Sequence, residues 1–254
     1  MDLILLGSGT GIPLHDRASP SLVLFVGSRP ILFDMGPGTL RQLTRVGLSH
    51  EGIGRIFFTH FHPDHTADLV HLMFATRNPL ILKRRRPFVL TGAFGLRNFV
   101  EGLQAAHGHW LNLPEKLMKI EELDETGIDE KDYEDFKIFT RPALHTPHSL
   151  AYRVETRKGQ SFVYTGDTGF SDDIIDLAGG VDLLITESSF PDGAEEKGHL
   201  TPSLAGRIAS LAKAKSLLLT HFYPEVLATD ITAACRKTYQ GELILGRDLL
   251  HITI

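Results

Sequence analysis

Cysteine is nearly absent from this chain: Cys235 is the only one in 254 residues. That excludes an intrachain disulfide and any zinc site built from several thiolates. Tryptophan is as scarce, with Trp110 alone. No stretch approaches the roughly 20 apolar residues of a membrane-spanning helix. The apolar run at residues 3–6 is too short for a secretory leader. These absences set the expectation of a cytoplasmic protein with no membrane partner, and they leave a homodimer open. A charge of one sign is missing too. Lys and Arg number 26 against 31 Asp and Glu, for a formal net charge of −5, so nothing draws the whole molecule toward nucleic acid. What remains is ordinary globular composition, 42% hydrophobic and 22% charged, which fits one large α/β domain or two small ones.

Short apolar runs alternate with helical segments almost throughout. Strands are expected at residues 3–6, 22–26, 31–33, 56–59, 88–90, 137–139, 152–155, 161–164, 183–186, 217–220 and 243–245. Helices are expected to start near Thr39, Thr66, Gly95, Asp172, Pro202 and Asp230, with Thr201 capping the fifth and proline at its first position. Polar residues gather just after strand ends, where open α/β sheets place their ligand sites. Two charge runs stand apart. Lys83-Arg84-Arg85-Arg86 precedes a strand, and residues 121–135 hold nine acidic groups against Lys131. Solvated surface is the simpler reading of both; the basic run is also placed to guide a phosphorylated substrate toward a cleft.

Residues 59–69, THFHPDHTADL, put three histidines and two aspartates directly after the apolar run Ile56-Phe57-Phe58. Such a cluster is costly to bury and asks for a cation. At a strand end, residues two apart point the same way, so His60 and His62 can face one ion. Pro63 turns the chain, and Asp64 and His65 then stand at the start of a helix, beside a second ion. Zinc suits these donors, with manganese or iron as alternatives. The remaining ligands should also follow apolar strands. His145 and His148 lie in RPALHTPHSLAYRVE, Asp167 in FVYTGDTG between glycines that let backbone approach an ion, and His221 in LLLTHFYP.

HFHPDH matches the signature His-x-His-x-Asp-His, and the chain resembles the metallo-β-lactamase superfamily. Within it, LGSGTGIPLHDRASPS and ILFDMGPGT resemble the opening loops of the ribonuclease Z-like branch, and the likeness runs through nearly the whole length, least informatively at residues 76–135. The resemblance implies a single-domain, four-layer αβ/βα sandwich over residues 1–254. It also implies two metal ions. The first would be held by His60, His62 and His145, the second by Asp64, His65 and His221, with Asp167 bridging. His145 is preferred to His148 because relatives place this ligand seven residues before a Tyr-Arg pair, here Tyr152-Arg153. Redox di-iron relatives carry glutamate where His62 stands, and di-zinc β-lactamases carry cysteine where Asp167 stands, so hydrolysis of another substrate is implied.

Two ions about 3.5–4 Å apart make a bridging hydroxide available at neutral pH and neutralise charge on a phosphoryl group. The expected function is therefore hydrolysis of phosphodiester bonds, in a small or cyclic diester or at an RNA end. Hydrolysis of a carboxylic ester, lactone or thioester is the alternative, and a binding protein without turnover the third reading. GHLTPS resembles the family's histidine motif, which makes His199 the general acid and Glu187 its orienting partner. With Asp64 they form the expected catalytic set. Asp34 is expected to steady the ligand loops, and Asp68 to help from the helix or to face water. His107, His109 and Trp110 read as aromatic packing, and His148 as a neighbour of the metals that does not bind them. True ribonuclease Z enzymes carry a flexible basic arm between the ligands matching His145 and Asp167. Only 21 residues separate those two positions here, which argues against precursor-tRNA processing.

Overall fold

The computed structural model describes residues 1–27 and 29–254. The first half of the chain builds one sheet from β1 (Asp2–Gly7), β2 (Ser21–Phe25), β3 (Ile31–Phe33), β4 (Arg55–Phe57), β5 (Phe88–Ala93) and β6 (Met118–Leu123). The second builds another from β7 (Asp129–Asp132), β8 (Phe136–Pro142), β9 (Leu150–Thr156), β10 (Ser161–Tyr164), β11 (Leu183–Glu187), β12 (Ser216–Thr220) and β13 (Glu242–Leu245). The last strand, β14 (Leu250–Thr253), returns to pair with β1, so the sheets run β14-β1-β2-β3-β4-β5-β6 and β13-β12-β11-β10-β9-β8-β7. From β3 to β6, and from β10 to β13, neighbours are parallel.

Alternation along the strands makes the layers. Leu3 and Leu5 turn inward with Phe33 and Phe57 to meet Tyr152, Val154, Phe162 and Ile185 of the facing sheet. Their neighbours Ile4, Ile56 and Phe58 turn outward and pack under Leu43 of α1 (Thr39–Arg45), Leu72 of α3 (Asp68–Thr76) and Val100 of α5 (Leu96–His107). On the other outer face Val163, Leu184 and Leu217 meet Ile174 of α6 (Asp172–Leu177), Ile208 of α7 (Pro202–Leu211) and Cys235 of α9 (Ile231–Arg236). A strand buried on both faces needs apolar residues at every position, not at alternate ones. That is why β11 and β12 read as the continuous apolar runs Leu-Leu-Ile and Leu-Leu-Leu. The result is the expected four-layer αβ/βα sandwich.

Short proline-led helices α2 (Pro63–Thr66), α4 (Pro79–Arg84) and α8 (Pro224–Leu227) fill the loops. α7 begins as expected, with the Thr201 hydroxyl accepting the Leu204 N–H. The basic run lies apart from the histidine loops. It closes α4 and leads into the start of β5, at the opposite end of the parallel strands from the histidine loops. There Arg84 pairs with Glu51 at 2.6 Å, and buried Arg85 donates to the His50 carbonyl and lies over the Phe88 ring. The acidic run is likewise used locally. Glu121 pairs with Arg55, while Glu122 accepts from the Gly95 and Arg97 N–H groups at the start of α5.

Candidate metal centre

Four loops at the carboxyl ends of the strands, with the end of β11, meet at one end of the sandwich. After β4 comes the run 59–65, and α2 turns Asp64 and His65 back toward His60. The loop between β8 and β9 brings His145, the loops after β10 and β12 bring Asp167 and His221, and Glu187 closes β11. Asp167 is buried at the middle. Its Oδ2 faces His145 Nε2 at 3.8 Å and His60 Nε2 at 4.0 Å, and its Oδ1 faces His65 Nε2 and His221 Nε2, both at 3.3 Å. His62 Nδ1 stands 3.2 Å from His145 Nε2, and Asp64 Oδ2 lies 3.5 Å from His221 Nε2. His60, His62, His145 and Asp167 therefore make one group, and Asp64, His65 and His221 a second. The expected set of seven side chains is assembled.

Hydrogen bonds behind the rings decide which nitrogen faces inward. Asp34 Oδ2 accepts from His65 Nδ1 at 2.7 Å and the Gly198 carbonyl accepts from His145 Nδ1 at 3.0 Å. The Thr59 hydroxyl donates to Asp34 and accepts from His60 Nδ1 at 3.1 Å. The Ser189 hydroxyl donates to Glu187 and accepts from His221 Nδ1 at 2.9 Å. Each Nδ1 is thus a donor, and Nε2 is the ring atom turned toward Asp167. Those same atoms, Nε2 of His60, His65 and His221, and Oδ1 of Asp167, are buried without a hydrogen-bond partner among the described residues. Leaving a buried polar atom unpaired costs about 1–3 kcal/mol, and a cation held between the rings would remove that cost. The residues present fit divalent ions.

The charge balance fits as well. Burial pushes the His60 and His145 imidazoles below their ordinary pKa, with His65 adding to the effect on His60, so both are neutral donors. Burial also opposes a charge on Asp167, but His221 and His65 outweigh it and hold the carboxyl well below its usual range. On His65 burial again opposes charge, yet Asp167 and Asp34 push its pKa well above the ordinary value. Binding a cation at His65 therefore releases a proton.

Asp34 steadies the ligand loops as expected. Buried, with φ 57°, it also accepts from the Thr59 N–H at 2.8 Å and the Tyr164 hydroxyl at 3.0 Å. His221 shares this left-handed backbone, at φ 56°. Non-glycine residues there cost about 1–3 kcal/mol and cluster at functional sites. Asp68 departs from expectation: its Oδ2 accepts the Leu40 N–H at 2.8 Å, tying α3 to the start of α1. Gly166 departs too. A Cβ there would meet Thr59 at 2.6 Å, so the glycine makes room for Thr59 and not for an ion. His148 turns away to Glu125, 2.7 Å distant, and His109 packs on Trp110 with ring centroids 4.3 Å apart.

Glu187 is the hub of the outer hydrogen bonds. Its Oε1 accepts from His199 Nδ1 at 3.0 Å and the Thr168 N–H at 2.8 Å, and its Oε2 from Ser189 and the Leu200 N–H. One buried carboxylate thereby orients both His199 and, through Ser189, His221. Burial opposes a proton on His199, but the Glu187 contact prevails and raises its pKa. The His199 ring stands edge-on to His145 at 4.7 Å. Thr59, Ser189 and Tyr164 were not singled out in the sequence; only the position of Ser189, just past a strongly apolar strand, marked it. A cavity of about 960 Å³ adjoins Asp64 and is lined in part by Pro13, Arg17, Arg41, Arg45 and Arg247.

Known proteins share this fold. The ribonuclease Z of Streptomyces avermitilis is 28% identical over an alignment covering 100% of this chain and 97% of its own. The human short-form tRNase Z structure superposes with a TM-score of 0.79 at 28% identity, covering 100% and 99% of the two chains. YhfI of Bacillus subtilis, a metallo-β-lactamase fold protein, reaches 0.86 at 23% identity, covering 99% and 98%. The family model described as Beta-lactamase superfamily domain matches residues 29–222, from the strand before Asp34 to the residue after His221. The chain belongs to the β-lactamase superfamily.

Proposed function

We propose that this chain is a dinuclear metal-dependent phosphodiesterase. Its sequence relatives are ribonucleases Z, and like them it is a hydrolytic enzyme acting on phosphodiester bonds. The observation that carries the dinuclear reading is the pair of Asp167 oxygens, one turned to His60 and His145 and the other to His65 and His221. A single carboxylate placed this way would serve both groups of ligands. His62 completes the first position and Asp64 the second. Five imidazoles and two carboxylates favour zinc. Bound there, the ions would polarise a phosphoryl oxygen and lower the pKa of water, making it a nucleophile at neutral pH.

The chain's own residues supply the rest. His199, oriented by Glu187, protonates the leaving oxygen. Arg41, Arg45 and Arg247, lining the cavity beside Asp64, attract the rest of an anionic substrate. Between His145 and Asp167 the chain only forms β9 and β10, joined by a turn at residues 157–160, so the arm is absent. We therefore favour small diesters over precursor tRNA.

The test joins metal analysis to a hydrolysis screen over phosphodiesters, phosphomonoesters, lactones and thioesters. Two zinc ions per chain and preferential cleavage of aryl phosphodiesters are expected, with no β-lactam hydrolysis. Asp167→Ala should loosen both ions, whereas His221→Ala should mainly empty the second position. A protein free of transition metal whose activity ignores a chelator would end this reading. Faster turnover of lactones or thioesters than of any diester would change the substrate class.

A further inference from the structure

Four of the five tyrosines in the chain have their hydroxyls anchored. Tyr133 donates to Glu121, Tyr152 to the Phe58 carbonyl, Tyr164 to Asp34, and Tyr239 to the Ala214 carbonyl. Tyr223 is the exception: among the described residues no side chain or backbone group bonds its hydroxyl, and the ring is half-buried. It follows His221 by two positions, at the start of α8, and stacks on Phe190 with centroids 4.9 Å apart and planes 18° from parallel. Neither ring belongs to any of the three apolar cores, although both are large hydrophobic groups. Their neighbours are the histidines of the site. Phe190 stands edge-on to His199 at 5.4 Å, and Tyr223 edge-on to His221 at 5.8 Å and to His199 at 6.5 Å. A stacked aromatic pair that supports no core, borders the ligands of one metal position and flanks the group assigned to protonate the leaving oxygen calls for an external partner.

We infer that Phe190 and Tyr223 form an aromatic subsite that receives the nucleobase of a nucleotide phosphodiester while its phosphate lies on the metal centre. This rests on the phosphodiesterase reading and narrows it to nucleotide substrates. The chemistry follows from the parts. A purine or pyrimidine offers a flat π-face, and stacking on aromatic side chains binds any base without reading its sequence. The Tyr223 hydroxyl gives one added donor or acceptor for a base edge or sugar hydroxyl. No backbone role stands in the way, because the Leu227 N–H bonds the Tyr223 carbonyl and not its ring. Tyr223 is a binding residue here, with no part in proton transfer.

The test uses zinc-loaded protein, calorimetric titration with two monoester products, adenosine 5′-monophosphate and methyl phosphate, and a turnover assay on bis-p-nitrophenyl phosphate. Wild type should bind the nucleotide at least about tenfold more tightly than methyl phosphate, within the range base–aromatic stacking supplies. Tyr223→Ala should erase that advantage and leave methyl phosphate affinity and zinc content as they were. Tyr223→Phe should keep most of it, and Phe190→Leu gives a second variant should Tyr223→Ala fold poorly. Equal affinity of wild type for the two ligands, or an equal loss of both in Tyr223→Ala, would overturn the subsite. Failure of the phosphodiesterase reading is seen separately, as no turnover of the diester by wild type with two zinc ions bound.

Discussion

His199 has one ring nitrogen fixed and one free, and that asymmetry sets its task. Nδ1 is held by Glu187 at 3.0 Å, so Nε2 is left to face a substrate. Removing the ring should remove proton delivery without touching the ligand set. His199→Ala is expected to lower turnover by about 10²–10⁴-fold with metal content still near two. The loss should be largest for alkyl or ribose leaving groups and small for nitrophenolate, which leaves without help. Steady-state rates on a matched pair of diesters check this, and an equal loss on both would take His199 out of the acid role. At this scale the clustered histidines and aspartates were legible in the sequence, because metal chemistry restricts residue type and position after a strand, while the choice of His145 over His148 came from the family resemblance. Their supports were not. Ser189 reaches His221 across 32 residues and Tyr164 reaches Asp34 across 130. Serine and tyrosine as residue types do not declare such a duty, and only the position of Ser189 after β11 pointed to it.

Among the elements, the buried strands, the edge strand β13 and the capped helices declared themselves, and the other three edges did not. β11 and β12 were plain as continuous apolar runs, and α7 as Thr-Pro followed by an amphipathic stretch. β7, with sequence DEKD, lies at the edge of its sheet and buries no side chain fully, so it shows no apolar alternation. β14 covers the far edge of the other sheet with the equally unpatterned LHIT, and the mixed MKIEEL of β6 hides another edge. Short α2 was read from Pro63, and α4 and α8 could likewise have been read from the prolines that open them. Contact between elements is a further thing that propensity hides. In α7, Gly206 sits where a Cβ would approach Thr238 Oγ1 to 2.5 Å and the Cys235 carbonyl to 2.9 Å, against the end of α9. By propensity Gly206→Ala should stabilise a helix by about 1 kcal/mol. Forcing α7 and α9 apart should cost about 1–3 kcal/mol, because a backbone carbonyl cannot swing aside. The clash is expected to win. Denaturant melts should show a lower midpoint with an unchanged slope, and a raised midpoint would mean that α9 yields freely.

At the scale of the molecule, the metal centre spans the seam between the sheets. His60, His62, Asp64 and His65 follow β4 in one sheet, while His145, Asp167 and His221 come from loops of the other. Yet the sheets are already joined by a shared core in which Phe33 and Phe57 meet Tyr152 and Phe162. Ions should therefore add to the stability of a structure whose core is shared between the sheets without them. A ligand present at 100 times its dissociation constant contributes about 2.7 kcal/mol. Two such ions together contribute about 5.4 kcal/mol, which for a chain of this size corresponds to a rise in Tm of roughly 10–20 °C. Chelation followed by gel filtration should lower Tm by that amount, and zinc should restore it. Both forms should melt in one transition, since the core between the sheets is intact in each. Scanning calorimetry distinguishes the alternatives. Two separate transitions after chelation would mean that the sheets are independent units pinned together by metal. An unchanged Tm, with elemental analysis proving that the zinc has gone, would mean that the paired histidines and Asp167 satisfy one another without a cation.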